Sequence, residues 1–262
     1  MKPPLTYYGG KQKLSKLIVS LIPKHNLYCE PFFGGGAVFF AKNSSNIEVI
    51  NDTNGELMNF YKIIRTKFKK LEKEIHYTLH SREYHKTARI ILDHPQLFDE
   101  VKRAWAIWTV ANQSYASKLN GSWGYDRNEN RSAKQLHLKR ISFTNEFAKR
   151  LENTQIECAD ALEIIRSRDN KDSFFYCDPP YINTNQGHYK GYNEADFEKL
   201  LKVLSEIKGK FLLSSYPSEI LAEYLKKYKW SIRKIDVSLS LATNSNEKIK
   251  RKIEVITANY RI

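Results

Sequence analysis

Short apolar runs alternate with helix-like stretches at both ends of this chain, and the alternation stops in the middle. Runs of roughly four to eight apolar residues bounded by turn formers suit a strand covered on both faces. Residues 27–30, 47–51, 173–177 and 210–214 have that form, and 231–237 with 252–259 read as a closing strand pair. Residues 14–22 and 197–207 carry helical spacing. Strands separated by helices pair in parallel, so the fold class is α/β. A chain of 262 residues with 41% hydrophobic content can bury one large core of this kind, with or without an insertion.

The middle follows another pattern. From about residue 58 to 98 it is charged and helical, with the basic cluster Lys67-Phe68-Lys69-Lys70. Residues 100–116 continue as a helix, with Val101, Ala104, Trp105 and Trp108 at apolar spacing. Residues 117–131 turn polar, aromatic and glycine-bearing, and 134–140 are basic. This stretch reads as a mainly helical lobe inserted over 58–149, which splits a sheet domain made of 1–57 and 150–262.

The sharpest motif, Asp178-Pro179-Pro180-Tyr181, directly follows the apolar run Phe174-Phe175-Tyr176-Cys177. The C-terminal ends of parallel strands are where such sheets place their sites. The two prolines lack N–H donors and stiffen the turn, leaving carbonyls and the Asp178 carboxylate as acceptors. Tyr181 offers a face on which a flat ring stacks. Such a corner suits an aromatic ring carrying an amino group. Two acceptors take its two N–H hydrogens and draw the nitrogen lone pair out of conjugation. The bland alternative is a Pro-Pro turn capped by an acid.

A second motif, Glu30-Pro31-Phe32-Phe33-Gly34-Gly35-Gly36, follows the first strand and opens a helix. Glycines let backbone approach a ligand closely, and a helix start offers free N–H groups. Asn51-Asp52 ends the next strand, at a spacing where an acid suits the two hydroxyls of a ribose or simply caps a helix. The full dinucleotide fingerprint is absent, which favours a single nucleoside, and Gly10-Lys11-Gln12 lacks the P-loop pattern. Near the start, Tyr7-Tyr8-Gly9-Gly10-Lys11 presents a cation that could meet a carboxylate, or an ordinary solvated turn.

The charge balance narrows the partner. Lys+Arg 43 against Asp+Glu 29 gives +14, and a chain this basic suits a polyanion. Aromatics at 13% add faces on which bases stack. Cys29, Cys158 and Cys177 read as buried, reduced thiols in a cytoplasmic protein. No His/Cys/Asp/Glu spacing marks a metal, no apolar run spans a membrane, and the polar, aromatic start does not read as a signal peptide.

Together, residues 5–11, 30–36, 51–54 and 178–181, in that order, resemble the Dam-like DNA adenine-N6 methyltransferases of the alpha class. Lys250-Arg251-Lys252-Ile253-Glu254-Val255 is similar to that family's last basic turn and strand. The resemblance implies a Rossmann-like sheet and S-adenosylmethionine as methyl donor, with no metal. It implies that Tyr7, Lys11, Asp52 and Asp178 contact the donor, that Phe33 and Gly34 line its pocket, and that Asp160 helps hold its adenine. It also implies catalysis by Asp178, Pro179, Pro180 and Tyr181, through direct transfer to an adenine flipped out of double-stranded DNA, in a bacterial or phage-infected cell.

Sequence reading by the enzyme is expected from Lys118, Asn120, Trp123, Tyr125, Arg127, Asn128 and Arg131, whose side chains suit base edges. Lys134, Lys139, Arg140, Lys250, Arg251 and Lys252 are expected on phosphates. Relatives that read GATC carry Asn-Gly-Leu-Cys-Arg-Tyr-Asn, where this chain has Asn120-Gly121-Ser122-Trp123-Gly124-Tyr125-Asp126. A different target sequence is therefore expected. The enzyme is expected as a monomer or weak dimer, with a cognate restriction nuclease as a possible partner. Two alternatives stay open: an RNA or protein-glutamine methyltransferase, and a non-enzymatic nucleic-acid-binding module.

Overall fold

The computed structural model describes residues 1–182, 191–238 and 251–262. Its strands are β1 (Leu27–Glu30), β2 (Ile47–Asn51), β3 (Thr154–Glu157), β4 (Ser173–Cys177), β5 (Lys210–Ser215), β6 (Ser231–Ser238) and β7 (Arg251–Ala258). They form one sheet in the order β3-β2-β1-β4-β5-β7-β6. The first five are parallel, and β7 runs antiparallel between β5 and β6. The sheet is Rossmann-like.

Period-two alternation explains why the central strands are apolar throughout. Tyr28, Phe174, Tyr176 and Leu212 enter one core, while Cys29, Phe175, Cys177, Phe211 and Leu213 enter the other. The second face is covered by α9 (Ala161–Arg168), α10 (Glu194–Glu206) and α11 (Glu219–Tyr228). The first is covered by α1 (Ser15–Leu21), α2 (Ala37–Ala41), α3 (Gly55–Thr66) and α8 (Glu146–Leu151). Beyond α3 the core continues without a break into α4 (Phe68–His76), α5 (Arg82–Asp93), α6 (Glu100–Gln113) and α7 (Arg131–Ile141). No helix among the described residues is long and apolar enough to cross a membrane.

The expected strands lie where the apolar runs placed them. Of the cysteines expected to be buried, Cys29 and Cys177 are, on central strands, but Cys158 is exposed, because it follows the edge strand β3. The helix expected over 100–116 stops at Gln113 instead. Ser114 bridges Trp123 across a hairpin, and the Tyr115 N–H donates to the Ser122 carbonyl at 2.8 Å, which takes these residues out of the helix. The residue 57/58 break falls inside α3, whose Leu57, Met58, Phe60 and Tyr61 are buried. The 149/150 break falls inside α8, where Arg150 forms a bidentate ion pair with Glu48 of β2 and also donates to the Phe39 carbonyl at 3.0 Å.

Strand order reverses between β1 and β4, so a crevice opens beyond their C-terminal ends. That geometry sets the Glu30–Gly36 turn beside Asp178–Tyr181.

Candidate active site

Asn51 organises the loops at the strand ends. Its amide donates to the carbonyls of Pro31 at 2.9 Å and Ala159 at 3.0 Å, and its oxygen accepts the Ala159 N–H at 2.9 Å. One buried side chain thus ties together the turns after β1, β2 and β3. The glycine turn is packed hard against its neighbours. A Cβ on Gly35 would meet Tyr7 Cβ at 2.8 Å, and one on Gly36 would meet the Phe33 ring at 2.5 Å. Gly36 also sits at φ 66, which favours glycine.

Asp52 is 4% exposed. Its carboxylate accepts the Gly34 N–H at 2.9 Å and the Asn54 N–H at 3.0 Å. Burial pushes its carboxyl above the ordinary value, and those two donors pull it back. Phe33 packs its ring edge-on at 4.7 Å from Tyr61, inside the core, and the same ring closes one side of the turn at Gly36. Asp160 caps α9, accepting from the Leu162 and Glu163 N–H groups at the end of β3.

Lys11, Asp178 and Tyr181, far apart in sequence, meet at one corner. Lys11 Nζ lies 3.0 Å from the Asp178 carboxylate and 4.7 Å from the Tyr181 ring centroid, with its side chain 7% exposed. Two further residues join them. Glu254 of β7 stands 3.8 Å from Lys11, and Tyr216, just past β5, packs edge-on at 4.5 Å from Tyr181. Burial raises the Asp178 carboxyl, opposed by Lys11. Burial works against the Lys11 ammonium, but Asp178 and Glu254 more than offset it, and its pKa stands above the ordinary value. Glu30, at the end of β1, is pushed up to about 8 by burial, while the Tyr28 hydroxyl donates to it at 2.5 Å. Glu254 belongs to the stretch that resembles the family's last strand, but its place at the corner was signalled only by a charge set between Ile253 and Val255.

The lobe presents a second surface. Trp123 stacks on Tyr125 at 5.5 Å, and the Arg82 guanidinium lies 4.7 Å and 5.5 Å from their ring centroids. With His80, these rings border a hollow of about 300 Å³ that also takes in Arg127 and Asn128. Asn120, Tyr125, Arg127 and Asn128 are exposed. Arg131 pairs with Glu129. Lys118 lies over the Tyr8 ring at 5.2 Å, which joins the lobe to the loop bearing Lys11. Ala116 and Ser117 both hold φ 55, a left-handed conformation that non-glycine residues rarely adopt.

Two expected phosphate contacts are engaged otherwise. Lys139 donates to Asn112 at 2.7 Å, and burial lowers its pKa to about 8. Arg140 donates to the Thr78 carbonyl at 2.8 Å. Both hold α7 against the lobe, whereas Lys134 is exposed. Lys250 and the side chains of Arg251 and Lys252 lie outside the described residues. Arg82 and His80 had no distinguishing sequence signal, because the fold alone brings them beside Trp123.

The sheet order defines the fold as Rossmann-like. The chain matches the family model described as D12 class N6 adenine-specific DNA methyltransferase over residues 7–239, and it belongs to that family. It is 29% identical to the type II methyltransferase M1.LlaDCHI of Lactococcus lactis subsp. cremoris, over 99% of this chain and 96% of that protein. It is 27% identical to the type II methyltransferase M.MjaIII of Methanocaldococcus jannaschii, over 99% of each. The DNA adenine methylase of Salmonella typhimurium is 23% identical, over 98% of this chain and 94% of that protein. The chain is an enzyme that methylates adenine N6 in DNA. The RNA, glutamine and non-enzymatic alternatives are set aside.

Proposed function

We propose that the crevice between β1 and β4 binds S-adenosylmethionine and that the Asp178–Tyr181 corner receives an adenine flipped out of the duplex. The observation that carries this reading is the meeting of Lys11, Asp178 and Tyr181 beside the Asp52–Gly34 turn. The donor set fits such a ligand. Asp52 is a buried acceptor suited to ribose hydroxyls, Lys11 a cation suited to the methionine carboxylate, and Asp160 stands at the next strand end for the adenine. Tyr7, Phe33 and Gly34 bound the pocket by close packing around the glycine turn.

When bound, S-adenosylmethionine supplies an electrophilic methyl group on a sulfonium. The chain's own residues prepare the acceptor. Asp178 and the Pro179 carbonyl accept the two N6–H bonds, and the Tyr181 ring stacks on the base. Pro180 fixes the turn. Acceptors placed where positive charge develops on N6 lower the barrier electrostatically. Direct transfer is favoured because burial pushes the neighbouring Cys177 thiol far up, so no thiolate stands ready as a nucleophile.

The target base lies inside a duplex and must be extruded. Asn120, Trp123, Tyr125, Arg127 and Asn128, with Lys118 and Arg131, are the residues we assign to reading the flanking bases, and we add Arg82. The +14 balance supports phosphate contacts by Lys134 and Arg251, with Lys139 and Arg140 in a supporting role. The type II names of two relatives support a cognate nuclease as partner. Single-molecule sequencing of DNA from cells expressing the protein tests the reading. Modified adenines in one recurrent motif, lost in Asp178→Ala, are the expected outcome; unmodified DNA rejects it.

A further inference from the structure

The corner holds one charge that the roles above leave unused. Glu254 reaches to 3.8 Å from Lys11 with its side chain 13% exposed, while Lys11 is already paired with Asp178 at 3.0 Å. Two carboxylates therefore share one buried ammonium, in a chain whose overall balance is +14. Among the described residues these two carboxylates have that one ammonium as their close cation, and a partly buried carboxylate in excess of its counterions is costly until a cation arrives. Burial accordingly pushes the Glu254 carboxyl above its ordinary value, with Lys11 opposing it. The incoming adenine amino group is neutral and does not supply that cation.

The two ligands of the donor pocket differ in this respect. The methyl donor carries an ammonium, a carboxylate and a sulfonium, and is a net cation. Once the methyl group has left, the product is a thioether with no net charge. The transfer point lies beside Asp178 and Tyr181, so the sulfur must lie close to them. Glu254 and Asp178 flank the same Lys11 ammonium, at 3.8 and 3.0 Å. Resting on the donor-pocket reading above, we propose that Glu254 makes the pocket prefer the cationic donor over its neutral product, and so favours exchange of one for the other. Its register supports that task. β7 enters between β5 and β6, which sets Glu254 beside the corner and leaves Val255 in the core behind it.

Calorimetry with two ligands tests this without turnover. Sinefungin carries an ammonium where the donor carries its sulfonium, and S-adenosylhomocysteine is the neutral product. Glu254→Gln keeps the shape and removes the charge. It is expected to weaken sinefungin about tenfold, or about 1.4 kcal/mol, and S-adenosylhomocysteine by less than about threefold. Equal losses for both ligands, or no loss for either, would overturn the assignment. Should Glu254→Gln bind neither, Glu254→Asp decides, because it keeps the charge and withdraws it by one methylene. A reduced preference for sinefungin then supports the proposal, and an unchanged preference rejects it. Wild-type protein that binds neither ligand would reject the donor pocket itself, a result distinct from all of these.

Discussion

Replacing Asp178 by Ala separates stability from catalysis. The carboxylate lies 3.0 Å from Lys11, in a side chain 19% exposed. Leaving a buried charge with no partner costs about 3–5 kcal/mol. Here Lys11 keeps Glu254 at 3.8 Å, so the loss should fall nearer that of one charged hydrogen bond, about 1.5–3 kcal/mol. For a chain of this size that is a melting shift of roughly 3–10 °C. Catalysis loses more. The amino nitrogen gains positive charge as the methyl group arrives, and the acceptor that offsets that charge is gone. Removing one such preorganised group costs about 2.7–4 kcal/mol, or roughly 10²–10³-fold in kcat. The assay is single-turnover transfer of tritiated methyl to genomic DNA that lacks N6-methyladenine, run well below the variant's melting temperature. Calorimetry with S-adenosylhomocysteine in parallel should show some loss of affinity, far smaller than the loss of transfer. A variant that still transfers within about tenfold of wild type, roughly 1.4 kcal/mol of barrier, refutes the role of Asp178.

Further outcomes follow from other residues. Asp52→Ala leaves the Gly34 and Asn54 N–H groups without their acceptor and should weaken S-adenosylhomocysteine by roughly 10–100-fold, read by calorimetry. Unchanged affinity would remove Asp52 from the pocket. Arg127→Ala should relax discrimination at one base position by about 1–3 kcal/mol, read as a broadened methylated motif, whereas Lys134→Ala should weaken binding to all sequences and make its salt dependence shallower. An intact motif in Arg127→Ala would move recognition elsewhere. Glu30 is raised from 4.5 to about 8 in the fold, so its contribution to stability is fully present below about pH 4.5 and is lost as pH rises through about 8. The slope in that window is about 1.4 kcal/mol per pH unit for one proton. Glu30→Gln should remove it, so the variant's melting temperature should gain on wild type between pH 5 and pH 8; parallel melting curves would contradict the shift.

How much of this could be read from the chain depends on where each residue's partners lie. β1, β2 and β4 were legible because burial on both faces demands consecutive apolar residues, as in Phe174-Phe175-Tyr176-Cys177. β3 was not, because an edge strand is half-covered and Ile156 is its one aliphatic residue. The helix beginning at Glu100 was overextended because apolar spacing persists past Gln113 while the hydrogen bonds turn aside to Ser122. Gly34, Asp52 and Asp178 stood out because their chemistry is tied to strand ends, whereas Lys11, ahead of the first strand, read equally as a solvated turn until the other motifs were set beside it. Glu254 did not, since β7 takes its place in the sheet out of chain order, and Tyr216 did not, since its contact with Tyr181 comes from the turn after β5. Lys139 and Arg140 resembled free cations, but Asn112 and the Thr78 carbonyl engage them.

The two strands whose ends carry the chemistry are neighbours in space but not along the chain. Leu27 of β1 pairs with Ser173 of β4, and everything from the glycine turn through the lobe lies between them. Pairing over such a separation is slow, because the entropy of closing the intervening chain is lost before the contact forms. Local helix pairs such as α5 with α6 need no such closure and can form early. Because one core runs from those helices to the sheet, a collapsed lobe shortens the distance that β1 and β4 must still search. The expected order is therefore that the local helix pairs of the lobe form first and the crevice between β1 and β4 closes last. Pulse-labelled hydrogen exchange during refolding should show amides of α5 and α6 protected before those of β4.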